Sequence, residues 1–261
     1  MESLSILVTS CKAYADVRMV HDILFKKYWA DCPYKKYLVV DSIEETDDTS
    51  LYDEVIVTKP EYKYKNTFRI IEGLSHIKEK YVLLLQEDVL LYDYVKNEEF
   101  ECALEQMEKY YIGLYRTGAS LLTNHILQED NELLEFPKGE PYRISFPGGL
   151  WRKEYCKEIM KKYDNCADAE RLGSEYSNEF AERIVAPRYA IYPFIDAVRK
   201  GYWEPQALAL MNRNRIDVSM LGRSIIDSKV SLKFAMMGYI FNLNRKMILK
   251  IQKVVKIGKK Y

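Results

Sequence analysis

Residues 81–93 read YVLLLQEDVLLYD, an apolar run that breaks on Glu87 and Asp88 before turning apolar again. Two carboxylates at the end of a buried strand either solvate that end or hold a cation. Oxygen-only ligands suit Mg2+ or Mn2+, which keep coordination positions open for substrate phosphates. A cation there neutralises a departing diphosphate. In DAERLGSE, residues 168–175, Asp168, Glu170 and Glu175 offer a general base for a hydroxyl. The same residues also read as acids favoured by a helix start. Arg199 and Lys200, before Gly201, read as a phosphate grip or as solvated charges. Trp151, after the Pro147-Gly148-Gly149 turn, reads as a stacking surface for a sugar or as core.

Composition narrows the chemistry. The chain has 261 residues with 48% hydrophobic and 30% charged content, enough for one large α/β domain or two small ones. Three scattered histidines argue against a histidine metal site. Five cysteines without a C-x-x-C spacing point to a reducing, cytoplasmic setting. The start of the sequence lacks the basic and apolar regions of a signal peptide. No Walker motif, G-x-G-x-x-G or G-x-S-x-G is present, which removes the main support for kinase, dehydrogenase and hydrolase readings.

The elements that must position these residues follow from periodicity. Residues 4–11, 35–42, 53–58 and 80–85 read as strands. Residues 16–29, with Asp16 as N-cap, and 67–77 read as helices. The order β-α-β-β-α-β implies a mostly parallel sheet flanked by helices. Thr9-Ser10-Cys11 and Glu87-Asp88 then share the carboxyl edge of that sheet, where such folds bind ligands. Further on, residues 100–111, 152–163 and 170–185 read as helices, 112–117 and 142–146 as strands, and 118–141 as a loop over the site.

From Arg223 to Tyr261 the chain has ten Lys or Arg and one acid, Asp227, so this tail carries +9 and residues 1–222 carry −9 against a formal net charge of +0. Met247, Ile248, Ile251, Val254 and Val255 alternate with Lys246, Lys250, Lys253 and Lys256 at helical spacing. The expected division is a catalytic domain over 1–222 and a basic amphipathic helical tail over 223–261. The stretch 228–261 has the pattern of a helix lying on an anionic membrane, and reads equally as a basic tail packing on the acidic body.

Five blocks in order resemble a bacterial family of GT-A-type glycosyltransferases of surface polysaccharide synthesis. They are ILVTSCKAYADV with KKYWADCPYKKYLVVD, KYVLLLQEDVLL, YRISFPGGLWRKEYCKEI, NCADAERLGSE and VRKGYW. The resemblance implies a GT-A-like (Rossmann-like) α/β fold and transfer of a sugar from a nucleotide-diphosphate sugar, UDP-linked, to a glycan or lipid-linked glycan hydroxyl. It implies that Thr9, Ser10 and Cys11 line the nucleotide pocket, with Tyr14 near the base. It makes Asp88 the metal ligand, assisted by Glu87, and Asp168 or Glu170 the base. Arg199 and Lys200 would face the diphosphate, and Trp151 would lie on the sugar side. It also implies a cytoplasmic enzyme, peripheral on the inner face of the membrane. The family often has Asp-Asp at the Glu87-Asp88 position, and larger residues at Ala167 and Ala169. Two other readings stand beside it: a sugar-phosphate nucleotidyltransferase, disfavoured because VTSCKAYAD has no glycine, and a non-catalytic nucleotide- or glycan-binding protein.

Overall fold

A computed structural model describes residues 4–62, 64–118, 123, 125–217 and 221–226. The expected tail helix from 228 onward lies outside these residues. Among the described residues no helix is long and apolar enough to cross a membrane.

The first half follows the expected order: β1 (Leu4–Thr9), α1 (Ala15–Tyr28), β2 (Lys35–Val40), β3 (Glu54–Val57), α2 (Asn66–His76) and β4 (Tyr81–Gln86). After it come β5 (Val89–Leu91), α3 (Asn97–Lys109), β6 (Ile112–Arg116), β7 (Ile126–Leu127), β8 (Asp130–Glu135) and β9 (Gly149–Arg152). The chain continues through α4 (Lys153–Met160), α5 (Cys166–Tyr176), β10 (Arg183–Pro187), β11 (Phe194–Asp196), β12 (Val198–Arg199), β13 (Tyr202–Trp203) and α6 (Pro205–Arg213).

Nine strands form one central sheet in the order β3-β2-β1-β4-β9-β6-β10-β8-β7. The block β3-β2-β1-β4 is parallel, as is β6 with β10, while β9 runs antiparallel to both of its neighbours. Strand β1 leads outward to β2 and β3 on one side, and β4 lies on its other side. The strand order therefore reverses between β1 and β4, which is where open α/β sheets leave a ligand crevice.

Alternation along the strands builds two cores. Leu4, Ile6 and Val8 of β1 and Leu83 and Leu85 of β4 pack with α1 and α3, whereas Leu7, Val82 and Leu84 pack with α2 and α4. These strand residues are at most 1% exposed, and each fully buried Leu or Val is worth about 2 kcal/mol. Both faces being covered explains the unbroken apolar runs.

Four local expectations are corrected. Asp16 is not the N-cap of α1: the cap position is Tyr14, without a side-chain hydrogen bond, and Asp16 sits in the first turn. Residues 142–146 are not a strand. They form an irregular segment fastened by Ile144 N–H to Ser174 Oγ (3.2 Å) and Phe146 N–H to Glu170 Oε1 (2.8 Å). Helix α5 starts at Cys166, where the Asn165 side chain accepts the Asp168 N–H, and ends at Tyr176, so the apolar residues after it form β10. The stretch read as a loop over 118–141 contains β7 and β8, which extend the sheet along β10.

Candidate functional site

The site is built at the carboxyl edge of β1 and β4. These strands pair in register from Leu4↔Tyr81 to Thr9↔Gln86, and the Glu87 N–H then donates to the Thr9 carbonyl at 3.2 Å. Glu87 and Asp88 are thus the turn between β4 and β5, closed against the end of β1. Thr9 and Ser10 are buried at 6% and 2% exposure, and Cys11 is half-buried. The Ser10 Oγ has no hydrogen-bond partner among the described residues.

A third carboxylate, which sequence reading missed, joins the pair. Strand β11 runs antiparallel to β5, placing Asp196 opposite Val89, and the Ala197 N–H donates to the Asp88 carbonyl at 2.8 Å. Burial, then the neighbouring Asp88 charge, pushes the Glu87 carboxyl up to about 8. Burial, then Asp196, pushes Asp88 up to about 6. Burial raises Asp196 as well. Behind Asp88 sits His21, whose charge would favour ionised Asp88; its Nδ1 lies 2.9 Å from Asp22, which also accepts the Tyr52 hydroxyl at 2.5 Å.

Two arginines that the sequence reading did not assign to the site face this acidic turn. Arg69 on α2 is 8% exposed, and its Nε and Nη1 make no hydrogen bond, with Asp41 Oδ2 3.9 Å from Nη1. A buried guanidinium so poorly satisfied is costly unless an anion completes it. Arg223 reaches back from beyond α6. Its Nε and Nη2 donate to Asp16 at 3.1 and 2.9 Å, and Nη2 and Nη1 donate to the carbonyls of Ala13 (2.8 Å) and Gly201 (3.1 Å). Its guanidinium carbon lies 4.3 Å from the Tyr14 ring centroid, within cation–π range. Both arginines counter the raised pKa of Glu87, and Arg223 counters that of Asp88. Burial raises the Tyr14 phenol, with Arg223 opposing.

Arg199 and Lys200 belong to the β12–β13 hairpin. Arg199 pairs with Tyr202, leaving a two-residue turn with Lys200 at φ 50° and Gly201 at φ 85°. Both angles suit a type I′ turn, and glycine adopts the second without strain. Arg223 ties this turn to the site through the Gly201 carbonyl. The Arg199 Nε lies 2.6 Å from Glu204, and its charge opposes the raised pKa of Asp196.

Asp168 and Glu170 part company. Two residues along a helix are about 200° apart, so they point to opposite faces. Asp168 is 42% exposed and bonded to Arg171 (2.8 Å) and Asn165 (2.9 Å), which hold its carboxyl below the usual range. Glu170 faces inward. Burial raises its carboxyl, Arg116 opposes this, and Asp196 adds to it, so Glu170 belongs to the same electrostatic cluster as the acidic turn.

Trp151 is corrected outright. It is 0% exposed in β9, stacked on Phe146 at 5.4 Å and 20°, so its ring cannot meet a ligand. Thr9, Ser10, Cys11, Tyr14, Glu87 and Asp88 are brought together; Arg199 and Lys200 flank them; Glu170 adjoins through Asp196. Asp41, at the end of β2, accepts the Lys12 N–H at 2.8 Å and completes the edge.

Among the described residues no group of three or more His, Cys, Asp or Glu forms a ready metal cage. Asp88 with Glu87 offers carboxylate oxygens alone. This fits a hard divalent cation held by one or two side chains and completed by substrate phosphates. Such a cation would supply charge neutralisation at a leaving group.

The fold and site define a mixed α/β protein with a large central sheet flanked by helices. Its switch-point crevice is lined by closely spaced carboxyl groups, by Arg223 and by the under-satisfied Arg69. No protein-family model and no curated protein matches the chain. Among solved structures it is similar to S. aureus TarS 1-349 in complex with UDP-GlcNAc, with TM-score 0.49 and 14% identity over 87% of this chain and 69% of that one. It is also similar to galactosyltransferase LgtC in complex with donor and acceptor sugar analogs, with TM-score 0.45 and 14% identity over 85% and 84% of the two chains. A third similar structure is CMP:2-keto-3-deoxy-manno-octonic acid synthetase with CTP, with TM-score 0.49 and 12% identity over 81% and 99%. The match to another TarS 1-349 structure spans 60% of that chain, and the match to the longer TarS spans 41%.

Proposed function

We propose that this chain is a nucleotide-sugar-dependent glycosyltransferase. The observation that carries the reading is the switch-point edge itself. There Thr9 and Glu87 are hydrogen-bonded across β1 and β4, and Arg69 lies buried beside them without its full set of acceptors. A nucleoside diphosphate is the anion whose shape and charge suit a crevice with this floor and these arginines. Tyr14, backed by Arg223, is the ring available to the base.

Glu170 is the carboxylate assigned to the acceptor. Its Oε1 is held by the Phe146 N–H and the Ser145 side chain also hydrogen-bonds it, which orients the carboxylate, and its raised pKa makes it a better base than an ordinary carboxylate. In the reaction the acceptor oxygen forms a bond to the anomeric carbon as the bond from that carbon to the diphosphate oxygen breaks. The hydroxyl proton passes to Glu170, and the negative charge that develops on the diphosphate meets Arg69 and Arg223. A base on α5, distinct from the residues assigned to the diphosphate, suits inversion. A hexosyl donor on UDP and a surface-polysaccharide acceptor are the substrates that the sequence resemblance supports. Asp88 with Glu87 would hold Mg2+ or Mn2+.

The test is a thermal-shift screen of nucleotide-sugars with and without Mn2+, followed by turnover of the donors that bind. A donor that raises the melting temperature and is consumed with a glycan acceptor supports the reading. Binding of nucleoside diphosphates with no donor ever transferred or hydrolysed refutes it in favour of a binding protein.

A further inference from the structure

The opposite edge of the sheet, where β1, β2 and β4 begin, holds a cavity of about 990 Å3. Its apolar lining includes Leu4, Tyr34, Tyr81 and Leu104. Its acidic lining comes largely from α3, where Glu101, Glu105 and Glu108 fall on the face that carries Leu104. The lysines of the cavity are occupied: Lys35 lies 3.5 Å from Glu54, and Lys36 donates to the Tyr34 carbonyl at 2.8 Å. Glu108 is held by Lys80. Glu101 and Glu105 have no ion pair among the described residues, so the apolar floor is bordered by uncompensated negative charge.

We propose that this cavity docks residues 245–257 of the same chain, a segment outside the described residues. Three observations select this occupant. First, the segment has five Lys or Arg and no acid, and the tail's charge of +9 stands against −9 for the rest of the chain. Second, the spacings match. Glu101, Glu105 and Glu108 are separated by four and three residues, and so are Lys246, Lys250 and Lys253. Met247, Ile251 and Val254 follow the lysines at the same spacing, so a helical segment presents an apolar stripe beside a cationic one. Third, the chain reaches. Ile226 is anchored beside Trp203, with its N–H on the Trp203 carbonyl at 3.0 Å. The six residues of β1 separate the two ends of the sheet by about 20 Å. The 18 intervening residues span about 60 Å extended, and about 27 Å if helical. Exposed ion pairs are individually weak, so the apolar stripe gives affinity and the charges give register. This docking is independent of the catalytic reading, because the cavity and the crevice lie at opposite ends of the sheet.

Hydrogen exchange of the full chain, measured over a range of protein concentrations, tests it. Amides of 245–257 are expected to be protected at least 5-fold relative to a synthetic peptide of that sequence. Full-length E101K/E105K and K250E/K253E should each lose that protection, and the four changes combined should restore it. The melting temperature of E101K/E105K should stay within a few degrees of wild type, since Glu101 and Glu105 are exposed. Unchanged protection in E101K/E105K, or failure of the combined variant to regain it, overturns the proposal. Protection that rises with protein concentration assigns the segment to a second copy and also overturns it. So does protection seen only with anionic phospholipid vesicles and equal in wild type and E101K/E105K, which would assign the segment to a membrane surface.

Discussion

The Arg223 guanidinium lies 4.3 Å from the centre of the Tyr14 ring while gripping Asp16 with two nitrogens. The residue that opens the basic tail in sequence is thus a wall of the crevice in space. Arg223→Ala should lower affinity for a nucleoside diphosphate about 10-fold, the scale of one lost charge-assisted contact. Arg223→Lys should recover only part of this, because a lysine cannot reproduce the planar fork over Tyr14. Isothermal titration with the two variants checks both statements.

Arg69 makes a contrasting case. Its Nε and Nη1 are buried without hydrogen bonds, so in the unliganded protein it is a cost as much as a support. Arg69→Met is expected to leave the unliganded melting temperature unchanged or higher, while nucleotide affinity falls at least 10-fold. A purely structural arginine would show the reverse: a clear loss of stability with affinity intact.

The acidic turn predicts a pH dependence. Glu87 is raised from 4.5 to about 8 and Asp88 from 3.8 to about 6, so between the ordinary and folded values the folded state binds more protons than the unfolded one. Stability of the unliganded, metal-free protein should therefore fall as pH rises from about 4.5 to about 8. Glu87→Gln should flatten this slope and raise the melting temperature at pH 8 by a few degrees, on the order of 1 kcal/mol or more. Thermal melts across this range in chelator-treated buffer decide it. A wild-type melting temperature that climbs toward pH 8 would contradict the burial of these carboxyls.

Glu170→Gln should reduce turnover by about 10²–10⁴-fold, the usual contribution of a general base, with donor affinity little changed. The amide keeps an oxygen for the Phe146 N–H, so the fold should survive. Asp168→Asn should leave turnover near wild type and the melting temperature little changed, because its carboxylate is half-exposed and bonded to a surface arginine. Initial rates with a transferred donor separate the two residues.

How much of this was written in the sequence depends on distance along the chain. The order β1-α1-β2-β3-α2-β4 was legible because each element carries its own periodicity and bounding turn residues. The placement of Glu87-Asp88 beside Thr9-Ser10-Cys11 followed from the rule that parallel strands align their carboxyl ends. Residues 142–146 and 170–185 were misread because their backbones bond to partners elsewhere, Ser174 and Glu170 for the first and β6 and β8 for the end of the second. Trp151 was ambiguous until β9 was found to lie inside the sheet.

The sequence by itself determined an α/β chain whose strand ends carry an acidic turn, since hydrophobic periodicity and turn chemistry act over a few residues. Only the tertiary structure decided which charges meet that turn. Asp196 arrives by antiparallel pairing of β11 with β5, Arg69 from the face of α2, and Arg223 by a return of the chain after α6. Helical register, fixed by which face of α5 is buried, chose Glu170 over Asp168. These meetings depend on strand order and burial across the whole chain, and no local pattern records them.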